Sequence, residues 1–319
     1  MDIFYPIKLL ADRLTFLVFT PNTLLADTVD FFIYDSIKMY ILLSVIIFVV
    51  SIIRSYLPPE KIRATLSHKN KYTGNIVASL LGVITPFCSC SAIPLFLGFV
   101  QAGVPLGVTF SFLVASPMIN EVAIVMLLGM FGWKIALIYI MSGLWIAIIS
   151  GLIIGRMKVE NLIEPFVYEK NINGSIDLLN MSMGERVGYA KDYTLDILKK
   201  VWLYVIIGIG VGAWIHGYVP ADFLAQYAGS GKWYAVPLAV LIGIPLYSNA
   251  TGIIPLVGAL TEKGVSMGTT LAFMMSVTAL SLPEFMILKK VMKTKLILIF
   301  AGIVGVGIML TGLLFNAIF

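Results

Sequence analysis

Between Lys134 and Arg156, and again from Lys295 to the C-terminal Phe319, the chain carries no charged residue. An apolar run of about 20 residues is what an α-helix needs to cross the roughly 30 Å hydrocarbon core of a bilayer. A backbone in lipid must satisfy its own hydrogen bonds, so long spans of this kind are helical. Composition agrees: 59% of the 319 residues are hydrophobic, 12% are charged and mean hydropathy is +0.97. A soluble chain has about 25% charged residues. The expectation is an all-α polytopic membrane protein, multi-pass in the cell membrane, with the lipid bilayer as its main surroundings.

The net charge of +5 does not point to nucleic acid. In a membrane protein Lys and Arg mark cytoplasmic loops instead. Cys88 and Cys90 are the only cysteines, too close in sequence to staple a fold. The N-terminus has no basic, apolar and small-residue succession, so no cleavable signal peptide is expected. There is no phosphate-binding loop, Ser-His-Asp arrangement or zinc-hydrolase motif; neither an enzyme nor a cofactor is expected.

The chain matches itself without gaps when shifted by 161 residues. Asp35 falls on Asp196, Lys38 on Lys199, Pro59 on Pro220, Gly82 on Gly243, Pro94 on Pro255, Gly103 on Gly264 and Lys134 on Lys295. Coincident Gly, Pro and charged residues indicate a duplication. The chain divides into an N-terminal interfacial segment (1–34), a first transmembrane repeat (35–155), a cytoplasmic linker (156–195) and a second repeat (196–319). Each repeat reads as a plain span (about 37–57 and 198–219), a long middle region (72–131 and 233–289) and a closing span (134–155 and 295–318). About eight apolar segments can be drawn. Matching loops carry opposite charge bias. Arg54, Lys61, Arg63, Lys69 and Lys71 stand against Lys232 alone, and Lys134 against Lys289, Lys290, Lys293 and Lys295. Positive charge sets orientation, so the halves are expected to be inverted, with broken or re-entrant helices in the middle regions.

Three polar breaks carry candidate chemistry. Thr85-Pro86-Phe87-Cys88-Ser89-Cys90-Ser91-Ala92-Ile93-Pro94 interrupts an apolar stretch. Its prolines remove backbone donors, and its thiols suit soft ions or trivalent arsenic. Shifted by 161, Cys88 falls on Asn249 and Cys90 on Thr251, within a second break containing Pro245, Ser248 and Pro255. Breaks at corresponding positions of two halves point to a transport site. The third break holds Ser116, Pro117, Asn120 and Glu121, with Ser281 and Glu284 in its partner. Glu121 and Glu284 are the acidic residues inside the long apolar regions, and such carboxylates usually face a cavity or partner. The bland readings are inert cysteines in a core, kinked helices capped by Asn and Ser, and structural carboxylates.

At the Cys-x-Cys break the sequence resembles a family of predicted permeases that includes the organoarsenical exporters known as ArsP. The resemblance runs from about residue 35 to the C-terminus and rests on residues 85–94, on Ser116-Pro117 with Asn120-Glu121, and on Ser248-Asn249. It implies a plasma-membrane permease, often drawn with eight spans, efflux of trivalent organoarsenicals in some members, and a small thioredoxin-like protein as a partner. The combined expectation is a secondary transporter, homo-oligomeric or not, with Thr85, Cys88, Ser89, Cys90, Ser91, Asn120, Ser248, Asn249 and Thr251 lining the solute site. Cys88 and Cys90 are the soft-ion ligands and Glu121 or Glu284 the proton-coupling group. Pro86, Pro94, Pro117, Pro245 and Pro255 bound the breaks. The alternative is a membrane thiol–disulfide relay using Cys88 and Cys90.

Overall fold

The computed structural model describes residues 5–17, 19–20, 23–56, 71–85, 89–165, 167, 182–218, 232, 234–246, 257–258, 260–261 and 263–319. Its helices are α1 (Tyr5–Phe16), α2 (Leu24–Tyr56), α3 (Lys71–Ile84), α4 (Ser89–Gln101), α5 (Leu106–Met118) and α6 (Glu121–Phe131). They continue with α7 (Trp133–Arg156), α8 (Met183–Tyr218), α9 (Ala235–Gly243), α10 (Met267–Ala279), α11 (Leu282–Leu288) and α12 (Thr294–Ile318). Residues 257–258 and 260–261 are also helical. Among the described residues the only β pairing is an isolated bridge, Ile163 with Met292.

Among the described residues four stretches can cross a bilayer on length and composition: Leu24–Val49 in α2, α7, Met267–Leu288 containing α10 and α11, and α12. A fifth is broken, α5 meeting residues 123–131 of α6 at 48°. Tyr72–Ile84 and Ala92–Gln101 are apolar but short. At about 1.5 Å per residue neither reaches across the hydrocarbon core. The eight segments drawn from sequence therefore become four or five helices of spanning length plus shorter pieces among the described residues. The boundaries at 34/35 and 195/196 fall inside α2 and α8.

Element bounds repeat with the 161-residue shift. Leu106–Met118 falls on Met267–Ala279 residue for residue, Trp133 falls on Thr294, and Glu121 falls on Leu282. The turn before α5 repeats as well. Gly103 (φ 76) and Gly264 (φ 81) take the left-handed conformation that suits glycine. Val104 N donates to Phe99 O as Val265 N does to Leu260 O, both at 3.0 Å. Helix contacts repeat too: α3, α5 and α7 pack on one another, as do α9, α10 and α12.

Close packing in each set depends on glycine. A Cβ added to Gly107 of α5 would collide with the Gly151 carbonyl of α7; one added to Gly268 of α10 would meet the Gly312 carbonyl of α12. Small residues that bring backbones together are how membrane helices gain contact without a hydrophobic driving force. Polar side chains also bond across these seams. Ser111 Oγ donates to Asn75 Oδ1 at 2.7 Å between α5 and α3. Asn316 Oδ1 accepts from Gly268 N at 2.7 Å between α12 and α10.

Equivalent helices also pair across the halves: α2 with α8, α5 with α10, α7 with α12. Ile146 of α7 packs on Gly307 of α12, one 161-residue shift away. After α7 the chain turns through Glu160–Leu162. Lys293 N, one residue before α12, donates to Leu162 O at 2.8 Å, and Glu164 N donates to Val291 O at 2.9 Å. Six residues reach at most about 20 Å, whereas the far end of α7 lies about 35 Å away at 1.5 Å per residue. The start of α12 therefore lies beside the end of α7, and these two helices run antiparallel.

Candidate functional site

The first break opens where α3 ends at Ile84. Thr85 Oγ1 donates back to Leu81 O at 2.8 Å and Gly82 O at 3.1 Å, satisfying carbonyls that the ended helix leaves exposed. Pro86, Phe87 and Cys88 lie outside the described residues. The backbone of Ser89, Cys90 and Ser91 forms the first turn of α4; their side chains are likewise outside the description. Pro94, expected to bound the break, lies inside α4 as its sixth residue, because the helix resumes at Ser89 and continues past it despite the interior donor that proline withdraws. Pro117 similarly sits inside α5, one residue before its last.

The end of α3 is pressed against the end of α5. A Cβ on Gly82 would lie 2.9 Å from Ala115 Cβ and 3.1 Å from Ser116 N. Ser116 is buried. The buried Tyr139 of α7 donates its hydroxyl to the carbonyl of Met118, the last residue of α5. Asn120 then caps α6: its backbone is extended, and Oδ1 accepts from Ala123 N at 2.8 Å. Glu121, the first residue of α6, is exposed.

The second half repeats the pattern. α9 ends at Gly243, and a Cβ there would lie 3.2 Å from Phe273 O and collide with Ser276 Oγ. Ile244 and Pro245 form a turn, and Leu246 N donates to Gly243 O at 3.1 Å. Ser248, Asn249, Thr251 and Pro255 lie outside the described residues. Leu282 N, opening α11, donates to Ile244 O at 3.0 Å, which ties the α10/α11 break to the α9 turn. Glu284 in the first turn of α11 has no exposed surface. A shift of 161 places it on Ala123, also buried, so the carboxylate replaces a methyl at a packed position.

The halves meet around these breaks. α4, which follows the first break, packs on α11 of the second half. Gly258, beyond the second break, faces Met130 of α6. The structure thus draws Thr85, Ser116 and Asn120 toward the joined ends of α3 and α5, and Pro245 and Glu284 toward the equivalent ends in the second half. Among the described residues no three His, Cys, Asp or Glu side chains are grouped to hold a metal; the soft-ligand reading of Cys88 and Cys90 lies outside the described side chains. Sequence reading missed Asn75 and Tyr139. Asn75 carried a signal, an amide within an apolar helix, whereas Tyr139 among many aromatics carried none.

A family model, ArsP_1, described as a predicted permease, matches residues 24–317. A Streptococcus mutans protein, named as a subunit of a two-component membrane permease complex, is 26% identical, the match covering 78% of this chain and 82% of that protein. A UPF0718 protein of Methanocaldococcus jannaschii is 24% identical, covering 75% and 82%. The UPF0718 protein YraQ of Escherichia coli is 21% identical, covering 82% and 73%. No solved structure gives a significant match.

Proposed function

The chain belongs to the predicted permease family, and from that membership we propose that it is a secondary transporter whose solute passes between paired helix breaks of two inverted halves, 35–155 and 196–319. The observation that carries this reading is the coincidence of the breaks. α5 and α10 end at Met118 and Ala279, and α6 and α11 restart at Glu121 and Leu282, each pair 161 residues apart. Discontinuous helices in corresponding positions of two halves expose backbone groups that only a cavity or protein can accommodate. The antiparallel course of the equivalent helices α7 and α12 supports inversion.

The proposed solute is soft and thiol-seeking, a trivalent organoarsenical or related metalloid moving outward. Cys88 and Cys90 are its ligands, and Ser89, Ser91, Ser248, Asn249 and Thr251 the polar lining. Of the two carboxylates, Glu284 is the better proton carrier, because it is fully buried beside a break while Glu121 is exposed. A second component is also proposed, since one relative is named as a subunit of a two-component complex.

The test is a growth-protection panel with trivalent methylated arsenic, arsenite, antimonite and copper, paired with transport into everted vesicles. Protection and uptake are expected for wild type and lost in Cys88→Ser and Cys90→Ser. Transport by both serine variants at the wild-type rate removes the ligand role. Transport of an unrelated metabolite with no protection removes the soft solute.

A further inference from the structure

A trough of about 1130 Å³ runs between α7 and α12 on the outer surface of the bundle. Its walls are apolar, including Leu137, Trp145, Met157, Leu298, Val306 and Leu314. Small residues such as Ser142 and Gly302 leave it deep. From Leu137 to Met157 it follows α7 for about 30 Å at 1.5 Å per residue, the thickness of the hydrocarbon core. Trp145 and Leu298 stay more than half exposed, so no described residue fills the trough.

One end is strongly basic. Arg156 and Lys158 flank Met157, the last groove residue on this side; Lys293 and Lys295 precede Leu298, the first of α12. The Ile163–Met292 bridge and the Lys293-to-Leu162 hydrogen bond clip these two segments together. All four basic side chains are exposed, Arg156 also donating to Tyr72 Oη at 3.2 Å. Glu160 and Glu164 lie on the same turn and offset part of this charge. The opposite end, at Lys134, has no comparable cluster in sequence.

We propose that this trough binds one anionic phospholipid, with its acyl chains against α7 and α12 and its phosphate headgroup among Arg156, Lys158, Lys293 and Lys295. An apolar channel of membrane depth ending in clustered cations complements a lipid at both of its ends. Basic pockets between membrane helices attract acidic headgroups on the same principle. The site faces lipid rather than the helix breaks, so it stands whatever solute the protein carries.

The test uses the purified full chain in detergent, with bound lipid followed by native mass spectrometry and by thermal unfolding. Phosphatidylglycerol is compared with phosphatidylcholine and with inorganic phosphate. Phosphatidylglycerol is expected to bind at least about tenfold more tightly than phosphatidylcholine, and phosphate alone to do nothing. Lys158→Gln, Lys293→Gln and Lys295→Gln should each cost about fivefold, and the triple variant about 100-fold. Gly302→Leu should weaken binding by filling the trough, where nothing lies within 4 Å of an added Cβ, and its unliganded unfolding temperature checks that the fold is kept. Lys134→Gln is the control. Equal binding of the two lipids, undiminished binding by the triple or Gly302→Leu variant, or the same stabilisation by phosphate alone overturns the proposal. So does dimerisation across the trough, read as crosslinking of Gly302→Cys in phosphatidylglycerol bilayers.

Discussion

Replacing Gly107 by alanine tests whether α5 and α7 meet backbone to backbone. The added Cβ lies 2.9 Å from Gly155 Cα and nearer still to the Gly151 carbonyl oxygen, where 3.4–4 Å is ordinary contact. Neither neighbour is a flexible side chain, so the two helices must part by about 1 Å, and a gap of that size forfeits roughly a quarter to a half of each pairwise attraction along the seam. Overpacking of this kind costs about 1–3 kcal/mol; at about 2 kcal/mol the folded-to-unfolded ratio falls roughly 30-fold. The repeat supplies a second trial. Gly268→Ala pushes a Cβ against the Gly312 carbonyl and to 2.7 Å from Asn316 N, and the same penalty is expected. Gly129→Ala is the control, because nothing lies within 4 Å of its Cβ. It should be neutral or stabilising by up to about 1 kcal/mol through helix propensity. The assay is reversible unfolding in mixed micelles, followed by tryptophan fluorescence. If Gly107→Ala and Gly268→Ala unfold together with Gly129→Ala, the close seams do not exist and the packing described for both halves is wrong.

Asn120→Ala removes the α6 cap and should cost about 1 kcal/mol, while Asn120→Ser restores stability; transport lost in the serine variant would show that the amide also touches solute. Tyr139→Phe leaves the Met118 carbonyl buried without its donor, an expected loss of about 1–3 kcal/mol by the same unfolding assay. The first turn of α8 should loosen in acid. Ser182 N and Oγ donate to Glu185 Oε2 at 2.7 and 2.9 Å, and the backbone amide first, then the hydroxyl, hold this carboxyl below its usual 4.5. A depressed folded value means the contribution is present above the ordinary pKa and fades as pH falls through the depressed one. Amide exchange at 183–187, referenced to Glu185→Gln, should rise only in that acid range; a parallel rise in both proteins refutes the assignment.

Much of the architecture was legible before any coordinates because the signals were local. An uncharged run such as 135–155 has few options other than a membrane helix. Gly103 and Gly264 mark turns because few other residues adopt their backbone angles. A constant offset of 161 could be read from Gly, Pro and Lys positions alone, and α5 and α10 begin and end where it places them. The site was legible only as a set of breaks. Pro94 reads as a break because an interior proline withdraws a donor, yet α4 continues through it. Asn120 stands between α5 and α6, where its amide oxygen accepts from Ala123 N, a capping role that residue order did not distinguish from a solute contact.

The all-helical, membrane-spanning character thus followed from residue order. Which helix faces met each other did not. In water a polar stripe identifies the outer face of a helix; in lipid both faces are apolar, so Gly107 and Gly129 look alike until one proves to lie against a carbonyl and the other against nothing. The antiparallel seating of α7 on α12, the burial of Glu284 in place of Ala123, and the basic mouth of the lipid trough all arise from contacts between segments far apart in the chain. Only the packed structure brings those segments together, because close backbone approach, rather than the exclusion of water, selects partners inside a bilayer.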